Sequence, residues 1–169
     1  MSGFSARWLA LREPLDAAAR SMALLDTLLQ NMAPRGNWHI IDLGAGSGSN
    51  LRYLSPRVPG AQHWTLVDHD PRLLAVAAQY AAPPTVTLDL RTLDLAREFS
   101  ASRGNLTLPT GALVTASALL DLVSPDWIDA LALRCRSARA SVHFALSYDG
   151  RTTCEPIDQR GISRPQGPG

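Results

Sequence analysis

Lysine is absent from this chain: all 16 basic residues among its 169 are arginine. With 15 acidic residues against them the formal net charge is +1. That balance gives no electrostatic reason to expect nucleic acid, an acidic tail or a membrane surface. Cysteine is scarce. Cys135 and Cys154 are too few for a disulfide framework, and Cys135 falls in a helical pattern as a small core or boundary residue. A reducing, cytoplasmic setting fits. No run approaches the ~18 apolar residues of a membrane span. The start, "MSGFSARWLALREP", lacks a basic head, a long apolar stretch and a cleavage site, so secretion is not expected. It has Gly3 rather than a glycine directly after Met1, so the myristoylation pattern fails.

Several chemical signatures are missing too. There is no C-x-x-C, no H-E-x-x-H and no clustered His/Cys/Asp set, which argues against a metal site. No G-x-S-x-G is present, which argues against a serine hydrolase. Without lysine there is no Tyr-x-x-x-Lys pair for a nicotinamide-dependent oxidoreductase. The lysine-free, alanine-rich composition points to a bacterium with a G+C-rich genome.

What remains is enough for one ordinary domain with a proper core. From Pro14 to Met32 apolar residues recur at helical spacing, with Pro14 suited to the first turn and Pro34 stopping the run. "APRGN" reads as a turn. "WHIID" (Trp38–Asp42) is a buried-strand pattern, followed by a helix from Ser49 or Asn50 to before Pro56. "HWTLVD" is a second strand. Asp70 and Pro71 are cap and first position of the next helix. "TVTLDLRTLDL" holds a third strand, with a short helix at Ala96–Phe99. "ASRGNLTLPTG" is a loop. "ALVTASALLDL" reads as a fourth strand running on past its end. Ser124 and Pro125 open another helix, and "SVHFALSY" (Ser141–Tyr148) is a fifth strand. Alternating strands and helices predict an α/β, Rossmann-like doubly wound sheet, mainly parallel, of about five strands covered on both faces. The domain is expected over 1–150. Residues 151–169, rich in proline and glycine, are expected to be a disordered tail.

The central feature is "HIIDLGAGSGSN" (His39–Asn50). Gly44, Gly46 and Gly48 form G-x-G-x-G, not the G-x-G-x-x-G of the dinucleotide fingerprint. Asp42 stands two positions before the first glycine. A carboxylate there is awkward beside a pyrophosphate and welcome beside a cationic ligand carrying an amino group, such as S-adenosylmethionine. Glycines let the backbone approach such a ligand closely and permit positive φ. Asp68, ending strand two, is placed to accept from ribose hydroxyls, and Asp94, after strand three, from an adenine amino group. The N–H of Leu95 is placed for the ring nitrogen. "TASALLD" supplies small residues at the end of strand four. All lie at carboxyl ends of strands, where open α/β sheets bind ligands.

Purely structural roles are open to the same residues. Asp42 is also a loop cap, Asp68 and Asp94 are helix caps, and the glycines make a tight turn without a ligand. Asp121 reads as a helix-start carboxylate. His63 and His143 read as packed or surface-facing. Trp8 and Trp38 read as core, with Trp8 placed to help close a site.

"IIDLGAGSGSN", "LVDHDP", "RTLDL" and "ALVTASALLDLVS", in this order, resemble motifs of the class I S-adenosylmethionine-dependent methyltransferases, over roughly Phe4 to Gly150. "WLALREPLDAAAR" also resembles the start of a group of small bacterial methyltransferases. The resemblance implies that Asp42, Gly44, Ala45, Gly46, Gly48 and Asn50 line the methionine half of the cofactor. Asp68 and His69 would serve the ribose and adenine side, and Asp94 and Leu95 the adenine. Ser117 would face the transferable methyl, and Arg20 would pair with the cofactor carboxylate. Many relatives carry a histidine after the acidic residue that follows strand four. Asp121-Leu122 stands there instead, which removes one base and leaves the catalytic residue unassigned. The resemblance further implies a sixth- and seventh-strand hairpin, for which the last residues give no signal. The expectation is methyl transfer to a small molecule. The alternatives are a cofactor-binding chain with weak or no catalysis, self-associating through the open sheet edge, and, further off, an NAD-dependent oxidoreductase.

Overall fold

The computed structural model describes residues 5–32, 36–100 and 104–145. Five parallel strands form the sheet: β1 (Asn37–Leu43), β2 (Ala61–Asp68), β3 (Val86–Thr92), β4 (Leu113–Ser117) and β5 (Ser141–Ala145), in the order β3-β2-β1-β4-β5. The expected turn at 33–35, the end of strand five beyond Ala145 and the expected tail lie outside the described residues.

The apolar runs in the strands supply both faces of a parallel sheet, as burial on both sides requires. Ile40, Trp64, Leu66 and Leu113 pack on one side with Leu25, Leu51 and Leu54. Ile41, Leu43, Val67, Val114 and Ala116 pack on the other with Trp127 and Leu131. Helices α3 (Ser49–Leu54) and α4 (Pro71–Ala77) contribute to the first layer, and α5 (Leu95–Ser100) and α6 (Pro125–Ser137) to the second. Asp70 caps α4 by accepting from Arg72 N–H at 2.9 Å, and Ser124 caps α6 by accepting from Trp127 N–H at 3.3 Å. Cys135 is buried on α6.

Three expectations require correction. The single helix from Pro14 to Met32 is two helices, α1 (Ala6–Ala18) and α2 (Met22–Met32), and Pro14 lies inside α1 rather than in a first turn. The chain bends at Ala19–Ser21, and the bend turns Arg20 inward onto Asn50 and Ser117. Apolar periodicity does not register such a break, because the residues on either side stay helical. Strand four does not run on: it stops at Ser117, Ala118 takes φ +51°, and a short 3-10 turn follows at Leu120–Leu122. Trp8 is 39% exposed, with the Arg12 guanidinium 4.8 Å from its ring centre, and is not core. Trp38 is core, at 3% exposure.

The strand order reverses between β1 and β4, which share a ladder from Ile40↔Leu113 to Leu43↔Ala116. At such a reversal, loops leave neighbouring strands in opposite directions and open a crevice at the carboxyl ends. The Gly44–Gly48 loop leaves β1 there and Ser117 ends β4 there.

Candidate functional site

The loop after β1 needs its glycines. Gly44, Gly46 and Gly48 take φ of +67°, +53° and +85°, a region that costs L-residues with a Cβ. Gly48 has a second reason: a Cβ there would lie 2.9 Å from Ala77 Cβ and 3.2 Å from Ala77 Cα, so α3 and α4 could not approach as they do. At Gly46 the space is bounded by Leu9 of α1, whose Cδ1 would be 3.5 Å from an added Cβ. At Gly44 the neighbour is Leu119. A helix before the sheet and a loop after β4 therefore cover the glycine loop.

Helix α1 is held there by charge rather than by burial, since none of its residues is fully buried. Glu13 accepts two hydrogen bonds from Arg52 of α3, at 2.7 and 2.6 Å. The same guanidinium donates to the Ser47 carbonyl at 2.7 Å. Arg52 thus ties the helix to the loop. Neither residue stood out in the sequence, because nothing local connects position 13 with position 52.

Below the loop lies a buried polar network. Asn50 donates through Nδ2 to Asp42 Oδ1 and to Thr115 Oγ1, both at 2.8 Å. Its Oδ1 accepts from Arg20. Arg20 also donates to Ser117 Oγ at 3.3 Å and stacks on Tyr53, 4.4 Å from the ring centre. Two buried atoms in this network have no hydrogen-bond partner among the described residues: Asp42 Oδ2 and Arg20 Nε. Burial pushes the Asp42 carboxyl up to about 7, with the Asn50 hydrogen bond and the Arg20 charge pulling the other way. Burial likewise lowers the Arg20 guanidinium, opposed chiefly by Asp42. A buried carboxylate with one bare oxygen is a costly group to keep, unless something polar or cationic meets it. Among the described residues Asp42 accepts from no backbone N–H, so it does not act as a cap of the loop. Thr115 was not singled out in the sequence. Period-2 alternation from Ser117 would have put it on the same face.

Asp68, at the end of β2, is buried and acts on backbone. Oδ2 accepts from Gly46 N–H at 2.8 Å and Oδ1 from Asp70 N–H at 2.9 Å. His69 Nδ1 is 3.2 Å from Oδ1, with its side chain 70% exposed. A carboxylate has about four lone-pair sites, so two backbone bonds leave it able to accept more. Asp94 is exposed and caps α5, accepting from Ala96 N–H at 3.0 Å and Arg97 N–H at 3.4 Å. The Leu95 carbonyl accepts from the Trp127 indole at 2.7 Å. The structure thus joins Arg20, Asp42, Asn50 and Ser117 through direct hydrogen bonds, and Gly46 with Asp68 and His69 in a second set. The contacts of Asp94 and Leu95 run to α5 and α6 instead. Asp121 lies in the exposed 3-10 turn.

Two cavities adjoin Arg20. One of about 370 Å³ lies between α1 and α3, among Glu13, Arg20, Ser49, Arg52 and Tyr53. One of about 160 Å³ lies at the ends of β4 and β5. Among the described residues no group of three or more His, Cys, Asp or Glu is placed to hold a metal ion. No helix among them is long and apolar enough to cross a membrane.

Solved structures share this architecture. The plantazolicin methyltransferase BpumL, determined in complex with S-adenosylhomocysteine, matches with a TM-score of 0.53 at 16% identity, over 82% of this chain and 48% of its own. A SAM-dependent methyltransferase of Leishmania major matches with a TM-score of 0.53 at 15% identity, over 82% and 52%. A S-adenosylmethionine-dependent methyltransferase from Mesorhizobium loti matches at 25% identity and a TM-score of 0.47, over 77% and 54%. The chain therefore spans about half the length of each of these three proteins. No protein-family model and no curated protein matches it. The chain has the α/β, Rossmann-like fold of the class I S-adenosylmethionine-dependent methyltransferases.

Proposed function

We propose that this chain binds S-adenosylmethionine across the Gly44–Gly48 loop and transfers its methyl group to a small-molecule acceptor. The observation that carries the reading is the bare, buried Asp42 Oδ2 directly below a positive-φ glycine loop at the strand-order reversal. The donor set fits the group. An α-ammonium would give Asp42 the partner it lacks and draw its pKa down. Arg20, whose Nε is bare, offers the cofactor carboxylate a cation. Asp68 retains acceptor capacity for ribose hydroxyls, with His69 beside it, while Asp94 and Leu95 are the adenine-side candidates.

The cofactor supplies an already activated methyl group, so the protein's work is positioning and exclusion of water. Asn50 fixes the carboxylate of Asp42 and the guanidinium of Arg20 at once. Arg52 and Glu13 hold α1 over the loop. Leu9 and Leu119 close its apolar sides. The nicotinamide-dependent oxidoreductase reading finds no support among the matched folds. The domain assignment 1–150, the individual cofactor contacts and a cytoplasmic location are part of the same proposal.

The test is calorimetric titration of the full chain with S-adenosylmethionine, S-adenosylhomocysteine and NAD. Micromolar binding of the first two, lost in Gly46→Val, is expected. No binding to either by a folded chain refutes the reading.

A further inference from the structure

The cavity of about 160 Å³ is lined by Asp16, Arg20, Leu24, Ser117, His143 and Phe144, among others. His143 pairs in register with Thr115, and Thr115 with Asp42. Partners in a parallel ladder point to the same face, so Asp42, Thr115 and His143 form one polar row across three strands. Thr115 Oγ1 donates to the His143 carbonyl at 2.8 Å, which anchors this part of β5. The His143 ring is half-buried, and no hydrogen bond to its nitrogens is formed among the described residues. Asp16 is already paired with Arg12 at 3.0 Å, and Arg20 with Asn50 and Ser117. Among the described residues, His143 is thus the cavity side chain with a free proton-accepting nitrogen, beside the residue that ends β4.

Resting on the methyl-transfer reading, we propose that this cavity receives the methyl acceptor, that the acceptor is a small hydroxyl compound with an apolar body, and that His143 takes its proton. The walls from Leu24, Ala19 and Ala145 favour an apolar body, while Phe144 contributes backbone only, its ring packing on the opposite face of the sheet. The volume is below the ~300–1,000 Å³ of drug-sized sites, which favours a small acceptor. A neutral hydroxyl enters such a space without the desolvation cost of an ammonium, and among the described residues the lining carboxylate, Asp16, is already paired with Arg12. In the step, the acceptor oxygen forms a bond to the methyl carbon as the carbon–sulfur bond breaks. That electron pair returns to sulfur, giving the thioether, and the hydroxyl proton passes to the His143 ring. Burial, and the Arg20 charge, lower the affinity of His143 for protons in the resting state, so the ring is neutral and able to accept one at pH 7. Among the described residues the charged groups lining the cavity are Asp16 and Arg20, from α1 and the bend after it; the bend also presents the Ser21 hydroxyl, and β4 the Ser117 hydroxyl.

The experiment uses the full chain with phenol and catechol as probes. Calorimetry first establishes that S-adenosylhomocysteine binds; if it does not, the cofactor reading and this proposal both fall. With it bound, histidine ring signals are followed by NMR, the His143 signal being the one missing from His143→Gln. Titration below the ordinary 6.5 and a probe-induced shift of that signal, with His39, His63 and His69 unmoved, is the expected result. A His143 signal that neither probe moves, or that moves together with the other three, overturns the proposal and leaves the cofactor reading standing. For any probe that is methylated, His143→Gln is expected to lower kcat about 10²-fold or more while changing S-adenosylhomocysteine affinity less than twofold. An unchanged kcat overturns it as well.

Discussion

Asp42 offers the sharpest test of the polar network. Its carboxyl is wholly buried and its pKa is raised from 3.8 to about 7. A group whose folded pKa lies above its unfolded value favours folding below the unfolded pKa. That contribution is lost as pH rises through the folded value. Between about pH 4 and pH 7 the cost therefore grows by roughly 1.4 kcal/mol per pH unit, and it levels off above pH 7. Integrating the two titrations gives a cost of about 2 kcal/mol at pH 5 and about 4 kcal/mol at pH 8. Asp42→Asn removes the ionisation and keeps an oxygen to accept from Asn50. Its added N–H₂ takes the place of the bare Oδ2, and an unmet donor there costs about 1–3 kcal/mol at any pH. The pH-independent part cancels on comparison. Relative to the wild type, the variant should gain about 2–3 kcal/mol between pH 5 and pH 8. Urea unfolding of both proteins at the two pH values, with m-values checked for constancy, measures this directly. Parallel stability profiles would refute the claim that Asp42 is held as a strained, near-neutral acid. A bound ammonium lowers the Asp42 pKa, so wild-type affinity for S-adenosylmethionine should also rise with pH up to about 7 and then level off.

Other expectations follow from neighbouring contacts. Glu98 is buried, accepts from Asn105 N–H at 3.0 Å and Leu106 N–H at 2.6 Å, and pairs with Arg134 at 3.3 Å. Glu98→Ala leaves the two N–H groups unmet and takes the carboxylate from Arg134, which keeps only the Glu98 and Leu106 carbonyls, and should destabilise by about 3 kcal/mol in denaturant unfolding. Gly104→Ala would bring a Cβ to 2.0 Å from Glu98 Oε1 and 2.5 Å from its carbonyl, and should cost about 1–3 kcal/mol in the same assay. Glu13→Gln weakens the tether of α1 with little effect on global stability, since both partners are partly exposed. Faster amide exchange confined to residues of α1 and the Gly44–Gly48 loop is the expected signature. Asp68→Asn should lower S-adenosylhomocysteine affinity about 10- to 100-fold by calorimetry, because a charged acceptor is lost from both loop and ligand.

Much of the frame was legible before any coordinates. Asp70-Pro71 and Ser124-Pro125 announced two helix starts that the structure places at those residues. The apolar runs before Gly44 and Asp68 announced β1 and β2 within two residues. The bend at Ala19–Ser21 and the stop at Ser117 were not legible. The first keeps helical periodicity on both sides. The second depends on one positive-φ alanine, which composition does not mark. At the site, Asp42, Asn50, Arg20 and Ser117 stand out individually in the sequence, but nothing local shows that Asn50 joins Asp42 to Arg20 and Arg20 reaches Ser117. The Asp94 alternatives were open, and its hydrogen bonds are those of a helix cap.

Local chemistry accounts for what could be read in one dimension. Glycine permits positive φ, proline and serine start helices, and runs of Ile, Val and Leu seek burial on both faces of a parallel sheet. These preferences act within a few residues, so the sequence by itself determined the alternation of strands and helices from β1 onward, the glycine loop and the acidic residues at strand ends. Only the tertiary structure decided which groups met. Residues 20, 42, 50 and 115 converge because the strand order reverses between β1 and β4 and the chain bends over the gap. Burial at that point, rather than residue type, turns Asp42 from an ordinary carboxylate into one with a bare oxygen and a pKa near neutrality.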